Sequence, residues 1–186
     1  MAKFDYNMIA IGAGSGGLVS SYIVAAVKSK VALIEKHKMG GDSLNTGCVP
    51  SKALISSAKA VQMLKKHTLY GLKNVSYEVD SALTMVRVQD IIAKVELHDS
   101  VARYSSLGVE CHIGEAMIRS PHEVEVNGQV LTTKNIVVAT GARPFVPPTP
   151  GLEDVQFSHS DNIWDLRKQP KHLAAIGGGP LDRNWH

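Results

Sequence analysis

Long apolar runs are missing from this chain. None approaches the roughly 18 residues that a bilayer span needs, and Met1 to Asn7 lacks the basic start and apolar core of a secretory leader. Cysteine is scarce: Cys48 and Cys111 are too few for a disulfide scaffold. Blocks of one charge are missing too. Lysine is scattered and the formal net charge is only +3, so charge calls for no nucleic-acid partner and no membrane surface. His98 and His112 have no partner at metal-ligand spacing and are expected to be surface or satisfied histidines, with no metal. These absences leave a soluble chain, with the cytoplasm as its default location. Its 186 residues, 44% hydrophobic and 20% charged, suffice for one domain with a full core and the start of a second.

What is present begins with glycine. Phe4 to Ile11 is an apolar strand candidate that runs into G-A-G-S-G-G, in which Gly12, Gly14 and Gly17 fit G-x-G-x-x-G around Ser15 and Gly16. Leu18 to Val27 is helix-compatible, and Val31 to Glu35 is a second buried strand. A strand, a glycine turn, a helix and a strand form the context a dinucleotide fingerprint requires. Gly12 permits the tight turn, Gly14 lets backbone approach a pyrophosphate, and Gly17 lets helix and strand pack closely. Glu35, 18 residues after Gly17, stands near the distance at which an acid accepts from an adenosine ribose. Its carboxylate repels a 2′-phosphate, so FAD or NAD fits and NADP does not. The motif by itself does not choose between FAD and NAD. A lone glycine motif is weak, and the plain alternative is a turn with no ligand; both flanking strands and the terminal acid argue for the nucleotide.

The next stretch, Gly40 to Lys52, reads G-G-D-S-L-N-T-G-C-V-P-S-K. It places Cys48 at the start of a helix expected over Val49 to Lys66, with Pro50 in the first turn, where no N–H is needed. A helix N-terminus carries partial positive charge, which favours a thiolate, and the Lys52 cation one turn on acts in the same direction. The segment therefore presents a reactive thiol. The bland alternative is a structural cysteine beside a solvated lysine, and the fingerprint upstream weighs against it.

Further along, Val79 to Leu107 is expected as one long, mostly polar helix with an apolar stripe at Met85, Val88, Ile91, Ile92 and Val95. Val109 to Ile113 is a strand in which Cys111 packs. Short strands follow around Met117, Val124 and Leu131, with a hairpin turn at Asn127-Gly128. Asn135 to Ala139 is a buried strand ending at Thr140-Gly141, the kind of small-residue turn where doubly wound sheets bind ligands. Pro144 to Pro150 is a stiff linker and a domain boundary, giving domains 1–150 and 151–186. His172 to Ile176 is a strand before G-G-G-P, the opening of a second nucleotide turn.

Five motifs in this order, G-A-G-S-G-G with Glu35-Lys36, G-G-x-x-L-N-x-G-C-V-P-S-K, A-T-G-A-R-P, P-G-L and I-G-G-G-P, resemble the flavoprotein pyridine nucleotide–disulfide oxidoreductases, the mercuric-reductase-like and dihydrolipoamide-dehydrogenase-like members above all. The resemblance covers Phe4 to Pro180. It implies an α/β architecture: a Rossmann-like FAD-binding domain with a parallel sheet, helices and a small antiparallel meander, then the start of an NAD(P)H domain. By resemblance, Gly12, Gly14 and Gly17 cradle the FAD pyrophosphate, Glu35 holds the ribose with Lys36 beside it, and Gly41 and Asp42 line the flavin side. Lys52 sits by the isoalloxazine, Gly114 and Ala116 meet the adenine, and Ala139, Thr140 and Gly141 close over the cofactor. The family passes electrons from NAD(P)H through FAD to two cysteines five positions apart. Substrates are small disulfides, lipoamide or metal ions, and the unit is a homodimer.

Two departures follow. Ser43 stands where the family has its exchange cysteine, and a hydroxyl forms no disulfide, so the dithiol relay is expected to fail while Cys48 remains as the flavin-side thiol. One reading is single-thiol chemistry through a sulfenic acid; others are natural loss and engineering. The tail is the second departure. Where the family continues I-G-x-E-L-A, this chain has Leu181 to His186, L-D-R-N-W-H. Deleting one base from a synonymous coding of P-I-G-S-E-L-A produces P-L-D-R-N-W-H, so the tail reads as a frameshift. On that reading the chain is a truncated N-terminal part without the rest of the nicotinamide domain or the dimerisation domain, and it does not turn over alone. The competing expectations are a non-catalytic flavin-binding module or relic, and a plain NAD-dependent Rossmann dehydrogenase. The Cys48 loop and the A-T-G turn disfavour the latter.

Overall fold

A computed structural model describes residues 4–177. The expectations for Gly178 to His186, including the end of the second glycine turn and the tail, lie outside the described residues. The chain divides into two compact units, each built from two stretches: residues 1–45 with 93–145, and residues 46–92 with 146–186. One of the crossing points, Phe145 to Val146, falls inside the expected proline linker.

The first unit is a six-stranded sheet in the order β3-β2-β1-β6-β5-β4. The strands are β1 (Tyr6–Ile11), β2 (Val31–Glu35), β3 (Val109–Ile113), β4 (Ala116–Ser120), β5 (Glu123–Val126) and β6 (Gln129–Val138). β1 pairs in parallel with both β2 and β6, and β2 with β3. β4, β5 and β6 form an antiparallel meander. The parallel strands read as near-continuous apolar runs because both faces are covered: Ile9, Ala10, Ala32, Leu33 and Ile34 are all buried. One face packs Met8, Ala10, Val31 and Leu33 with Leu18 of α1 (Ser15–Ala26) and Tyr104. The other packs Ile9, Ala32 and Ile34 with Val124, Val126 and Leu131 of the meander. Asn127 and Gly128 take φ of 51° and 78°, the left-handed pair expected of the hairpin turn.

β6 corrects one expectation. The strands placed separately around Leu131 and at Asn135 to Ala139 are one ten-residue strand. Its first part pairs with β5 and its second with β1, so a single strand joins the meander to the parallel sheet. The long helix expected over Val79 to Leu107 is two, α4 (Ser81–Glu96) and α5 (Val101–Ser106). The break lies at Ser100, whose hydroxyl accepts from the Arg103 N–H at 3.2 Å and caps α5. Serine competes with a continuing helix by offering this local bond, worth about 1 kcal/mol at an N-cap.

The second unit is helical. Its core packs Ala53 of α3 (Cys48–Lys65) with Met85 and Val88 of α4 and with Trp164. The apolar stripe read along α4 is the face that points inward: Met85 and Val88 are buried, and Ile91 and Ile92 pack beside them. His172 to Ile176 is not a strand. A strand requires a ladder partner, and no described residues pair with this segment; Leu173 and Ile176 are exposed.

Candidate functional site

The carboxyl ends of β1, β2, β3 and β6 lie along one edge of the parallel sheet, and the predicted nucleotide residues of the first unit gather there. β1 has its successor β2 on one side and β6 on the other, so the chain reverses its strand order at β1, where open α/β sheets bind ligands. Gly12 follows β1 with φ +101°, and a Cβ there would strike the backbone carbonyl of Ala139 at the end of β6. Ala139 N–H donates to Ile11 O at 2.8 Å and holds the A-T-G turn against the glycine loop. A Cβ on Gly17 would run into the Gly12 carbonyl, with Leu33 at 3.4 Å behind it. Helix α1 therefore sits on the sheet at a distance only glycine permits.

The start of α1 is open. Gly14 is its N-cap and offers no side-chain bond, no acid stands in the first turn, and Ser15 and Gly16 are exposed. The first-turn N–H groups of a helix have no partners within it and form an anion site. Two further turns close in on this loop. α2 (Gly41–Asn45) begins against it: a Cβ on Gly41 would come within 2.6 Å of Gly14 Cα. A Cβ on Gly141 would lie 3.8 Å from Asp42 Oδ2, so Asp42 stands beside the A-T-G turn. Thr140 and Gly141 are exposed at this edge.

Glu35 ends β2 half-buried. Its Oε2 accepts from Ala13 N–H at 2.6 Å and its Oε1 from His37 N–H at 2.8 Å. Each carboxylate oxygen accepts two bonds, so one acceptor site per oxygen remains for a vicinal diol, and the side chain is already oriented. Gly114 N–H donates to Glu35 O at 2.8 Å, which brings Gly114 next to Glu35, and Ala116 opens β4 two residues on. Lys36 makes an exposed ion pair with Glu115 at 3.6 Å, so its ammonium points along the β3 side of the site. The residues thus fit a dinucleotide: an uncapped helix start for a pyrophosphate, glycine walls where backbone must come close, and an anchored carboxylate for a ribose.

The second unit holds the thiol. Cys48 is the first residue of α3 and is exposed. Pro50 is in the first turn, as expected, and Ser51 hydroxyl donates to Cys48 O at 3.1 Å. Lys52 is exposed one turn on. Ser43 is exposed on α2, in the first unit. Cys111, by contrast, sits half-buried in β3, where burial pushes its thiol up from the ordinary range. Among the described residues no three His, Cys, Asp or Glu side chains converge on a metal position, and no helix is long and apolar enough to cross a membrane.

Sequence reasoning missed Trp164. Its indole is buried in the second unit and donates to the carbonyl of Thr46, two residues before Cys48. The apolar pair Ile163-Trp164, set between the polar residues Ser158 to Asn162 and Asp165, was the available signal.

Fold and site together define a Rossmann-like nucleotide-binding α/β protein with an exposed cysteine at a helix start. The chain matches the model of the pyridine nucleotide-disulphide oxidoreductases over residues 6–181 and belongs to that family. It is 34% identical over 177 residues to a mercuric reductase of Bacillus cereus, covering 95% of this chain and 28% of that protein. It is 33% identical to a dihydrolipoyl dehydrogenase of Acholeplasma laidlawii, covering 95% and 54%. It is also 33% identical to a glutathione reductase of Burkholderia cepacia, covering 96% and 39%. The chain thus spans between about a quarter and about half of the length of these relatives.

Proposed function

We propose that this chain is the FAD-binding portion of a flavin-dependent disulfide oxidoreductase, with residues 1–150 as the FAD-binding domain and residues 151–186 as the beginning of an NAD(P)-binding domain. The observation that carries the reading is the convergence of the Gly12, Gly41 and Gly141 turns on the uncapped start of α1, beside a Glu35 carboxylate held by two N–H groups. When bound, FAD accepts reducing equivalents from NAD(P)H and delivers them to thiols. The first-turn N–H groups at Ser15, Gly16 and Gly17 bind the pyrophosphate. Glu35 accepts from the ribose hydroxyls and repels a 2′-phosphate, with Lys36 at the rim. Gly114 and Ala116 offer backbone to the adenine, while Gly41 and Asp42 serve the flavin end. Ala139, Thr140 and Gly141 exclude water above the loop.

Cys48 is the flavin-side thiol of this reading. Ser43 carries a hydroxyl at the exchange position, so it cannot form the disulfide, and dithiol exchange does not run through this pair. The relatives' names point to mercuric ion, a dihydrolipoyl group or glutathione as the substrate class. The cytoplasm is the expected compartment and a homodimer the expected assembly of the family. A non-catalytic flavin-binding module is the second reading, supported by Ser43.

Adding FAD to the purified chain, followed by gel filtration and a visible spectrum, tests the proposal. Oxidised-flavin bands travelling with the protein are expected, and protein eluting without them refutes FAD binding. NADH gives a second readout: a flavin that stays oxidised is expected of both readings, and rapid bleaching refutes the non-catalytic module and the expectation that this portion does not turn over alone.

A further inference from the structure

We propose that Trp164 is a positioning residue for the Cys48 end of α3, a role that takes its functional meaning from the reading of Cys48 as the working thiol. The indole N–H donates to Thr46 O at 2.9 Å and to Ser160 O at 2.7 Å. Its ring is 4% exposed and packs against Ala53, Met85 and Val88. Thr46 precedes Cys48 by two residues and Ala53 follows it by five, so Trp164 holds α3 on both sides of the thiol. The tryptophan is itself fixed: its carbonyl accepts from Arg167 Nη1 at 3.0 Å and from Gln89 Nε2 at 3.3 Å.

Within the first turn of α3, Ser51 hydroxyl donates to Cys48 O at 3.1 Å. Gly47 is the N-cap and makes no side-chain cap bond. Within the helix, Ser51 N–H donates to Gly47 O at 3.1 Å, the first full turn after the cap. The first-turn N–H groups act on Cys48 only while they keep their direction. A donor-only indole, arriving from a segment 118 residues away, supplies that constraint from outside the helix.

Alkylation of the full chain by iodoacetamide, read at Cys48 and Cys111 by mass spectrometry, tests this. Trp164→Phe keeps a buried ring and removes the donor. Because Cys48 is already exposed, loosening its loop adds little access, and the dominant change is loss of the helix-end field. At pH 7 the Cys48 rate is expected to fall about two- to fivefold, the range such a field is worth, with Cys111 unchanged. In strongly alkaline solution, where every thiol is ionised, the variant and wild-type rates at Cys48 should converge, which general loosening of the fold would not produce. Met85→Ala opens the same core cluster without touching the bond and should leave the Cys48 rate at its wild-type value. No slowing in Trp164→Phe, or equal slowing in Met85→Ala, overturns the proposal. Should Trp164→Phe fail to fold, hydrogen exchange in the wild-type protein decides. The indole N–H should be protected to within about tenfold of the Ser51 amide, as members of one cooperative unit are, and an indole exchanging faster than that overturns it. Flavin retention is a separate readout that bears only on the function proposed above.

Discussion

Cys48 and Cys111 carry the same atoms in opposite settings. Cys48 opens a helix in the second unit, exposed and held through its neighbours' backbone. Cys111 lies mid-strand in the first unit, half-buried beside a cluster of Val31, Leu33 and Val109, with its thiol pushed up by burial. The strand cysteine packs as a small apolar side chain, and the helix cysteine meets solvent. The contrast extends to the units around them. The first builds its site from backbone: N–H groups, carbonyls and glycine contacts that tolerate no Cβ. The second presents a side chain and steadies it with one buried tryptophan.

Gly17→Val should disturb this contrast most. Its side chain meets the Gly12 carbonyl and the sheet behind it, a clash with backbone that no rotamer relieves. A loss of about 3 kcal/mol or more is expected from such overpacking, visible in urea unfolding and as Cys111 alkylated at its unfolded rate. A Gly17→Val protein that keeps wild-type stability contradicts the close approach of α1 to the sheet.

Next in size is the ratio of the two thiols. In the folded protein Cys48 should be alkylated about tenfold faster than Cys111 or more, because Cys48 is exposed while Cys111 is half-buried with its thiol pushed up by burial. In concentrated urea the ratio should approach one, and a ratio that survives unfolding would assign the difference to local sequence instead.

Glu35→Gln sharpens the comparison from the first unit's side. An amide keeps one acceptor and cannot serve both Ala13 and His37 N–H groups and a ribose. FAD affinity should fall about tenfold, as for loss of a charge-assisted bond of about 1.5 kcal/mol, read by flavin fluorescence titration. Unchanged affinity would remove Glu35 from the site.

The smallest effect lies at the start of the chain, before β1. Asp5 accepts from the Thr132 hydroxyl and N–H, and the Thr132 hydroxyl bond, followed by the N–H, holds its carboxyl below the ordinary 3.8. A depressed folded value stabilises the fold at pH above the ordinary one, and the contribution is lost as pH falls below 3.8 toward the folded value. Thr132→Val should therefore lower stability slightly at neutral pH and leave it nearly unchanged well below pH 3.8, so that urea unfolding across pH shows a flatter acid limb.

Much of this is legible in the sequence. β2 and β3 have the bounds their residues suggest, because short, largely apolar runs between turn signals can be little else. α3 matches its expected span to within one residue at each end, since Pro50 marks its first turn. The break at Ser100 and the continuity of β6 are not legible. Ser100 is compatible with a helix surface or a cap, and only the fold of α5 onto β3 selects the cap. The strands around Leu131 and at Asn135 to Ala139 read as separate until β5 and β1 pair with one and the same strand.

By itself, then, the sequence determined the glycine fingerprint, its terminal acid, the thiol's place at a helix start and the family, because these depend on local backbone needs that few residues satisfy. Tertiary structure alone decided that Gly12 abuts Ala139, that Glu35 is held by Ala13 and His37, and that Trp164 reaches Thr46. Those contacts join residues that spacing does not relate, and close packing, which has no sequence period, brings them together.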